Sequence, residues 1–455
     1  MKVHFIAIGG SAMHNLAIAL HKKGYTITGS DDVIFETSHS RLDRYGLLPE
    51  KMGWDECNIH SDLDAIILGM HARQDNPELI KAQELGLKIY SYPEYIYEQS
   101  KNKIRVVIGG SHGKTTITSM ILHVMRLCGR DCDYLVGAQI EGFETMVKLT
   151  DDAPVIIIEG DEYLASPIDK RPKFHIYQAD IAIISGIAWD HINVFPTFDN
   201  YIEQFRIFLK TIITNGTLIY CDEDQVLQEV VKNDNSDLYK IPYRTPEYTI
   251  KDGTTELAFP DKTIPLNIFG RHNLLNLNAA RLVCNQLGIN DNEFYRAISS
   301  FTGAARRLEL LGKNDQTAIY KDFAHSPSKL KATIEAVKQQ YPGRKLISVM
   351  ELHTFSSLNK NFLNEYKGCM DAADEAIVFI DEHTFSQKRI EPYDKNIVKE
   401  AFGNDKLKFF NNPEILVRFL SDINYKGKNL LLMSSGNFGG IDLSKLAESA
   451  LTTSN

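Results

Sequence analysis

Gly110-Ser111-His112-Gly113-Lys114-Thr115-Thr116 lies between two stretches of opposite periodicity. Before it, Ile104-Arg-Val-Val-Ile108 is a short apolar run of the length of a buried strand. After it, Ile117, Met120, Ile121 and Val124 recur at i, i+3, i+4 and i+7, which predicts an amphipathic helix. Gly129 stands where that helix would end. A strand, a glycine turn and a helix opening on Lys-Thr make a phosphate cradle. Backbone N–H groups converge on the ligand and the helix dipole favours an anion. Lys114 can reach terminal phosphates, and the Thr115 hydroxyl can hold magnesium. The general pattern also wants a glycine five residues before Gly113, where this chain has Ile108.

Two acidic segments follow. Val155–Ile158 runs into Glu159-Gly-Asp-Glu162, and Ile181–Ile184 leads to Trp189-Asp190-His191. In a parallel sheet the carboxyl ends of neighbouring strands gather on one edge, beside such a loop. Magnesium prefers carboxylate and phosphate oxygens, so Glu159 is the metal candidate, with His191 at the next strand end.

A similar turn opens the chain. Strand Val3–Ile8 meets Gly9-Gly10-Ser11, and a helix follows with Met13, Leu16, Ala17 and Leu20 on one face, closed by Gly24. A second strand, Tyr25–Thr28, ends in Gly29-Ser30-Asp31. A dinucleotide fingerprint would place glycines at 8, 10 and 13, but Ile8 and Met13 fill two of those positions. The turn suits a nucleotide diphosphate, with Asp31 toward a ribose, and equally reads as a structural β-α turn; NAD is not specified.

Further along, Asn273 and Asn276 in Gly270-Arg-His-Asn-Leu-Leu-Asn276 open a helical pattern. Their amides suit an adenine edge, and equally an N-cap. Arg306-Arg307 suits phosphate and Asp322 a ribose, although each also reads as a surface charge. Leu430–Met433 breaks into Ser-Ser-Gly-Asn-Phe-Gly-Gly440, a turn that admits close backbone approach to a ligand or is simply a turn.

Strand and helix patterns alternate along all 455 residues, which predicts an α/β fold with parallel sheets and a length suited to three domains. The polar stretch 222–265 reads as an inserted or antiparallel part. Strands are expected at Ala318–Tyr320, Lys345–Met350, Glu375–Ile380, Lys406–Phe410 and Asn429–Ser434. A net charge of −9 argues against a nucleic-acid surface. The six cysteines are scattered without C-x-x-C, as expected for free thiols in a reducing cytoplasm. No secretory segment or membrane-length apolar run is read, so a cytoplasmic, soluble protein is expected.

In this order the pieces resemble the Mur ligase family, which builds the peptide of the peptidoglycan precursor. The resemblance covers essentially the whole chain, from Ile8-Gly-Gly-Ser-Ala-Met13 through Gly110–Thr116, Glu159, Asp190-His191, His272-Asn273, Arg306-Arg307 and Asp322…His325. It implies a Rossmann-like UDP-N-acetylmuramate domain over 1–100, a central P-loop ATP-binding domain over 101–301 and a Rossmann-like acceptor domain over 302–455. It turns Gly9, Gly10, Ser11, Met13, Ser30, Asp31 and His71 toward the UDP substrate. Gly110, Ser111, His112, Gly113, Lys114, Thr115, Thr116, Asn273, Asn276, Arg307 and Asp322 would bind ATP. Thr115, Glu159 and His191 would hold Mg2+, and Lys114, His191 and His325 would be catalytic. His353, Ser435, Asn437 and Phe438 would meet the acceptor.

Within the family, Glu162-Tyr163…Asp169-Lys-Arg171 and Met433–Gly440 look most like the murein peptide ligase group. That likeness implies an ATP-dependent ligase of peptidoglycan recycling. It would join the tripeptide L-alanyl-γ-D-glutamyl-meso-diaminopimelate to UDP-N-acetylmuramate through an acyl phosphate, with L-alanine addition as the alternative. Three departures stand out. This chain has His325-Ser-Pro327 for His-His-Pro, Glu351-Leu-His353 where relatives place Arg after Glu-Pro, and Ser185-Gly186-Ile-Ala for an Asn-rich approach to Asp190. The first two fall in the expected acceptor domain.

Overall fold

The computed structural model describes residues 1–452 except 141, 191, 193, 252, 260, 261, 305, 306 and 389. The chain forms two compact units. One comprises Met1–Ile187, Thr197–Tyr243 and Ala279–Asp291; the other Ala188–Pro196, Arg244–Asn278 and Asn292–Asn455.

The first unit holds two sheets. The smaller is wholly parallel, with strands in the order Thr26–Ser30, Lys2–Ile6, Ala65–Leu68 and Ile89–Ser91. Lys2–Ile6 is shorter than the expected Val3–Ile8. Ala7 takes a left-handed φ of 69°, and the amides of Ala7 and Ile8 both donate to the Ser30 carbonyl, so the chain folds back onto its neighbour. Helix Ser11–Lys22 follows, with His21 and Lys22 in its last turn, where the dipole favours cations. Gly24 ends it with φ 89°, a conformation open to glycine without strain.

The larger sheet runs Tyr239–Tyr243, Thr217–Cys221, Ile181–Ile184, Ile104–Gly109, Val155–Glu159, Asp133–Leu135, Val147–Lys148. Only the last strand is antiparallel. Ile104–Gly109 is central, and its apolar run is continuous because helices cover both faces of a parallel sheet. Helix Lys114–Leu127 packs on it through Ile117, Met120, Ile121 and Val124, all fully buried. Each such side chain contributes about 1.5–3 kcal/mol of burial. Gly129 follows that helix at φ 64°, its N–H bonded to the Arg126 carbonyl.

The end of the polar stretch forms a three-stranded antiparallel sheet in the second unit, Tyr248–Lys251, Thr254–Phe259 and Lys262–Leu266, while its earlier part is helix Gln225–Lys232 and the parallel strand Tyr239–Tyr243 of the first unit. The main sheet of the second unit runs Glu309–Lys313, Ala318–Asp322, Lys428–Met433, Lys345–Glu351, Glu375–Phe379, Lys408–Phe410. Only Glu309–Lys313, a strand not expected from the sequence, is antiparallel. Apolar clusters cover both faces, one around Leu346, Met350 and Leu431, the other around Ile347, Val349 and Leu430. Adjacent residues of one strand thus feed opposite cores, as a pleat of period two requires. Among the described residues no helix is long and apolar enough to cross a membrane.

Candidate active site

Strand Ile104–Gly109 delivers the chain into the phosphate loop at its carboxyl end. Ile108, where the general motif has glycine, is still strand, paired with Glu159 on one side and Ile183 on the other. The loop is therefore shorter, and it is clamped by the next strand end. The Ser111 N–H donates to the Gly186 carbonyl at 3.0 Å, and the Ser185 hydroxyl donates to the His112 carbonyl. Gly110 has φ 122°, and a Cβ there would lie 2.7 Å from the Ser185 nitrogen. Gly113, left-handed at φ 75°, begins the helix. Ser111 braces the loop instead of serving as a free donor, since its hydroxyl shares a 2.9 Å hydrogen bond with Tyr201.

Lys114 folds back over this loop. Its Nζ donates to the Gly110 carbonyl at 2.7 Å and to Glu162 Oε2 at 2.5 Å. Burial works against its charge, but Glu162, Asp161 and Glu159 outweigh that and hold the ammonium above its ordinary pKa. Asp161 is lowered in spite of its burial and of Glu162, chiefly by Lys173, whose Nζ is 2.7 Å away. The Thr115 hydroxyl donates to Glu159 Oε1 at 2.7 Å, and the Gly137 N–H to Oε2 at 2.7 Å. A hydroxyl and a carboxylate side by side at a phosphate loop are the hard oxygens magnesium takes, leaving other positions for phosphate and water. His191, the third expected ligand, lies outside the described residues. Among the described residues no group of three or more His, Cys, Asp or Glu side chains could hold a metal.

In the first turn of the chain, Gly9, Gly10 and Ser11 sit at the start of helix Ser11–Lys22, and Ser11 is exposed. Asp31 and Ser30 do not face a ligand, contrary to expectation. Asp31 is buried and accepts the Gly9 N–H at 2.7 Å; burial pushes its carboxyl up and that N–H opposes the shift. The Ser30 hydroxyl is buried on Glu78. The side chain of Met13 is likewise turned into the core. His71 is exposed in the loop after strand Ala65–Leu68.

Glu78 itself was missed. It is fully buried, yet its carboxyl is lowered because His4, Ser30, the Asp55 N–H and Asn58 hold it, against the cost of burial.

In the second unit Arg307, Asp322, His325 and Asp190 form a cluster. The Asp322 carboxylate accepts the N–H groups of Leu308 and Ala324, both at 2.7 Å. It thereby fixes the left-handed bend at Leu308, φ 45°, so its first task is the backbone and not a ribose. The Arg307 guanidinium covers Phe323, 4.5 Å from the ring centroid. His325 is pushed down to about 4, first by burial and then by Lys329, which favours the neutral ring at pH 7. Lys329 pairs with Asp190 at 3.4 Å. Asn273 and Asn276 are both buried near the start of helix Arg271–Gln286, and the Asn273 amide donates to the Phe269 carbonyl at 2.9 Å. Arg306 lies outside the described residues.

The last glycine turn places Phe438, Gly439 and Gly440 in succession at left-handed φ of 53°, 64° and 87°. Phe438 was expected to meet the acceptor. Its ring is only 2 % exposed and stacks on Phe379 in the core, while its N–H donates to Glu351 Oε2 at 2.9 Å. Asn437 and His353 do line a cavity of about 470 Å³, together with Glu351 and Asp381. His353 Nδ1 in that lining, and Ser435 Oγ beside Gly436 in the chain, are buried without a hydrogen-bond partner among the described residues.

Glu351 and Glu162 both stood in quoted motifs, and their burial is what sequence did not signal. Tyr201 carried no signal at all, since it sits in the apolar stripe of helix Phe198–Thr211.

Comparison with known proteins extends this geometry. Residues 2–103 match the Mur ligase family catalytic domain, 108–284 the Mur ligase middle domain and 306–436 the Mur ligase glutamate ligase domain. The chain is 31 % identical over 393 residues to the UDP-N-acetylmuramate–L-alanine ligase of Caldicellulosiruptor bescii, covering 83 % of each. It superposes on the crystal structure of the UDP-N-acetylmuramate-alanine ligase of Thermotoga maritima over 100 % of both chains, with TM-score 0.69 and 19 % identity. On a murein peptide ligase from Psychrobacter arcticus 273-4 it superposes over 99 % of both chains, with TM-score 0.65 and 21 % identity. At those identities the two structures speak for the fold alone, a three-domain α/β architecture.

The expected tripeptide acceptor is overturned. Relatives at 26–31 % identity over most of the chain are named L-alanine ligases. The turn that had suggested the longer acceptor buries its aromatic ring in the core.

Proposed function

The chain belongs to the Mur ligase family, and from that premise we propose that it joins L-alanine to UDP-N-acetylmuramate. As a family member it is an ATP-dependent ligase that forms an amide bond. The observation that carries the site is the pairing of Lys114 and Thr115, at the start of one helix, with two carboxylates of a single strand end, Glu162 and Glu159.

A carboxylate does not react with an amine at neutral pH, so the muramate carboxylate must first be activated. ATP does this by transferring its terminal phosphoryl group, which gives an acyl phosphate and ADP. The amine of L-alanine then attacks the acyl carbon, and inorganic phosphate leaves from the tetrahedral intermediate. Little covalent work falls to the protein, whose contribution is position and charge. Lys114 would bring its ammonium to the terminal phosphate, where preorganised charge in a water-poor site is worth most. Magnesium, held by Thr115 and Glu159, would neutralise phosphate charge. Gly9, Gly10 and Ser11 would receive the UDP diphosphate at a helix N-terminus. Asn273 with Asn276 would read adenine, Arg307 would reach phosphate, and His353, Ser435 and Asn437 would meet the acceptor. Both substrates are cytoplasmic metabolites, which is where this reading places the protein.

The test is phosphate release from ATP by the purified chain with magnesium, UDP-N-acetylmuramate and L-alanine. Release should require all four. A chain that ignores L-alanine and turns over only with another amine would overturn the acceptor, and ATP binding without turnover on any amine would overturn the ligase reaction.

A further inference from the structure

One carboxylate beside the loop has no part in the reaction above. Glu162 is 1 % exposed, and its Oε2 lies 2.5 Å from Lys114 Nζ. It is fixed from the other side as well, since the buried Tyr201 hydroxyl donates to Oε1 at 3.1 Å and also bonds Ser111 in the loop. The backbone on either side of it is anchored, because the Gly160 N–H donates to the Ile108 carbonyl, the Phe174 N–H to the Asp161 carbonyl and the Lys173 N–H to the Tyr163 carbonyl. Glu162 is therefore held while the lysine, on its four-carbon stem, is free to move.

An ammonium has three N–H groups and no acceptor. In this pose two of them point at protein oxygens, the Gly110 carbonyl and Glu162. A lysine that cradles a terminal phosphate must give its N–H groups to phosphate oxygens instead. We propose that Glu162 is a positioning residue for Lys114, holding the ammonium folded back over the loop and competing for it with the terminal phosphate of the arriving nucleotide.

The inference rests on the phosphate-loop reading. It adds that nucleotide affinity is set partly by an ion pair that must open. The adjacent pair, Lys173 with Asp161 at 2.7 Å, involves no loop residue. A pair that only stabilised the fold would change melting temperature when neutralised and leave nucleotide affinity alone.

The experiment measures ATP affinity by calorimetry, and kcat and KM for ATP, on the full chain and three variants: Glu162→Gln, Lys114→Ala and the double variant. Glu162→Gln is expected to tighten ATP binding by about tenfold, an ordinary coupling between contacting side chains, and to lower KM for ATP more than it changes kcat. Against a Lys114→Ala background the same change should alter ATP affinity by less than about threefold, since no lysine remains to compete for. Folded Glu162→Gln protein that binds ATP no more tightly than the parent overturns the proposal, as does equal tightening with and without Lys114. If Lys114→Ala alone binds ATP as well as the parent, the phosphate-loop reading fails and not merely the competition. Should Glu162→Gln fail to fold, Glu162→Asp keeps the charge with a shorter reach and should tighten binding by about threefold, no change overturning the proposal.

Discussion

Ile108 and Glu159 are register partners across the two central strands of the seven-stranded sheet. The residue at the position of the motif's missing glycine is thus part of the scaffold that places the Glu159 carboxylate beside Thr115. Its carbonyl accepts the Gly160 N–H at 2.9 Å, which continues the ladder one residue beyond Glu159. The shortness of the loop and the placing of Glu159 are one feature of the backbone.

Restoring the general motif by Ile108→Gly should therefore harm the protein. The side chain is fully buried, so the change leaves a cavity and loosens a central strand. Together these should cost about 3–5 kcal/mol, read as a lower midpoint in urea denaturation. Undiminished stability would show that the sheet does not need a side chain at 108.

Lys114→Ala should lower turnover at least about a hundredfold, the usual cost of losing one preorganised donor to a reacting oxyanion. It should also lower the melting temperature, because Glu162 is left as an uncompensated charge in a buried place. Adding Glu162→Gln should restore the melting temperature while activity stays lost. A double variant no more stable than Lys114→Ala would show that the pair is not energetically coupled.

How far the sequence carried can be judged at single residues. The strand, the loop and helix Lys114–Leu127 were legible because the switch from a short apolar run to a 3.6-residue period is a local signal. Glu159 was legible too, since a strand end beside such a loop has one direction to face. Ser30 and Asp31 were misread although their strand was found. Which way a strand-end side chain turns depends on partners far along the chain, and Glu78, which takes the Ser30 hydroxyl, is 48 residues away. Phe438 was misread for the opposite reason. The glycines after it announced a turn, but the left-handed φ at Phe438 itself folds the ring inward onto Phe379. The antiparallel strands between Tyr248 and Leu266 are short and polar, and weak alternation gives little to read.

Stability should fall in mild acid through buried histidines. His175 is pushed down to about 4, first by burial, and its Nε2 lies 2.7 Å from the Gln204 carbonyl. The unfolded chain, with an ordinary histidine near 6.5, binds the proton that the folded chain refuses. The contribution is present above pH 6.5 and is lost as pH falls toward 4, amounting to about 3 kcal/mol at most. His272 and His325 shift in the same direction. His175→Gln should flatten the dependence of unfolding free energy on pH between 4 and 6.5; an unchanged slope would mean that His175 titrates normally in the folded chain.

The metal reading is tested by Thr115→Val, which keeps the branched shape and removes the hydroxyl. Thr115 bonds Glu159 at 2.7 Å, and the Gly137 N–H holds the other carboxylate oxygen, so Glu159 should stay in place when the hydroxyl is lost. Affinity for ATP without magnesium should then change little, because Lys114 and the loop amides remain. The gain in affinity that magnesium gives should shrink by about tenfold, one lost oxygen ligand among a few. Titrating ATP with and without magnesium reads both quantities on one protein. If the variant keeps the full magnesium effect, Thr115 serves the loop as a hydrogen-bond donor to Glu159 and does not hold the metal.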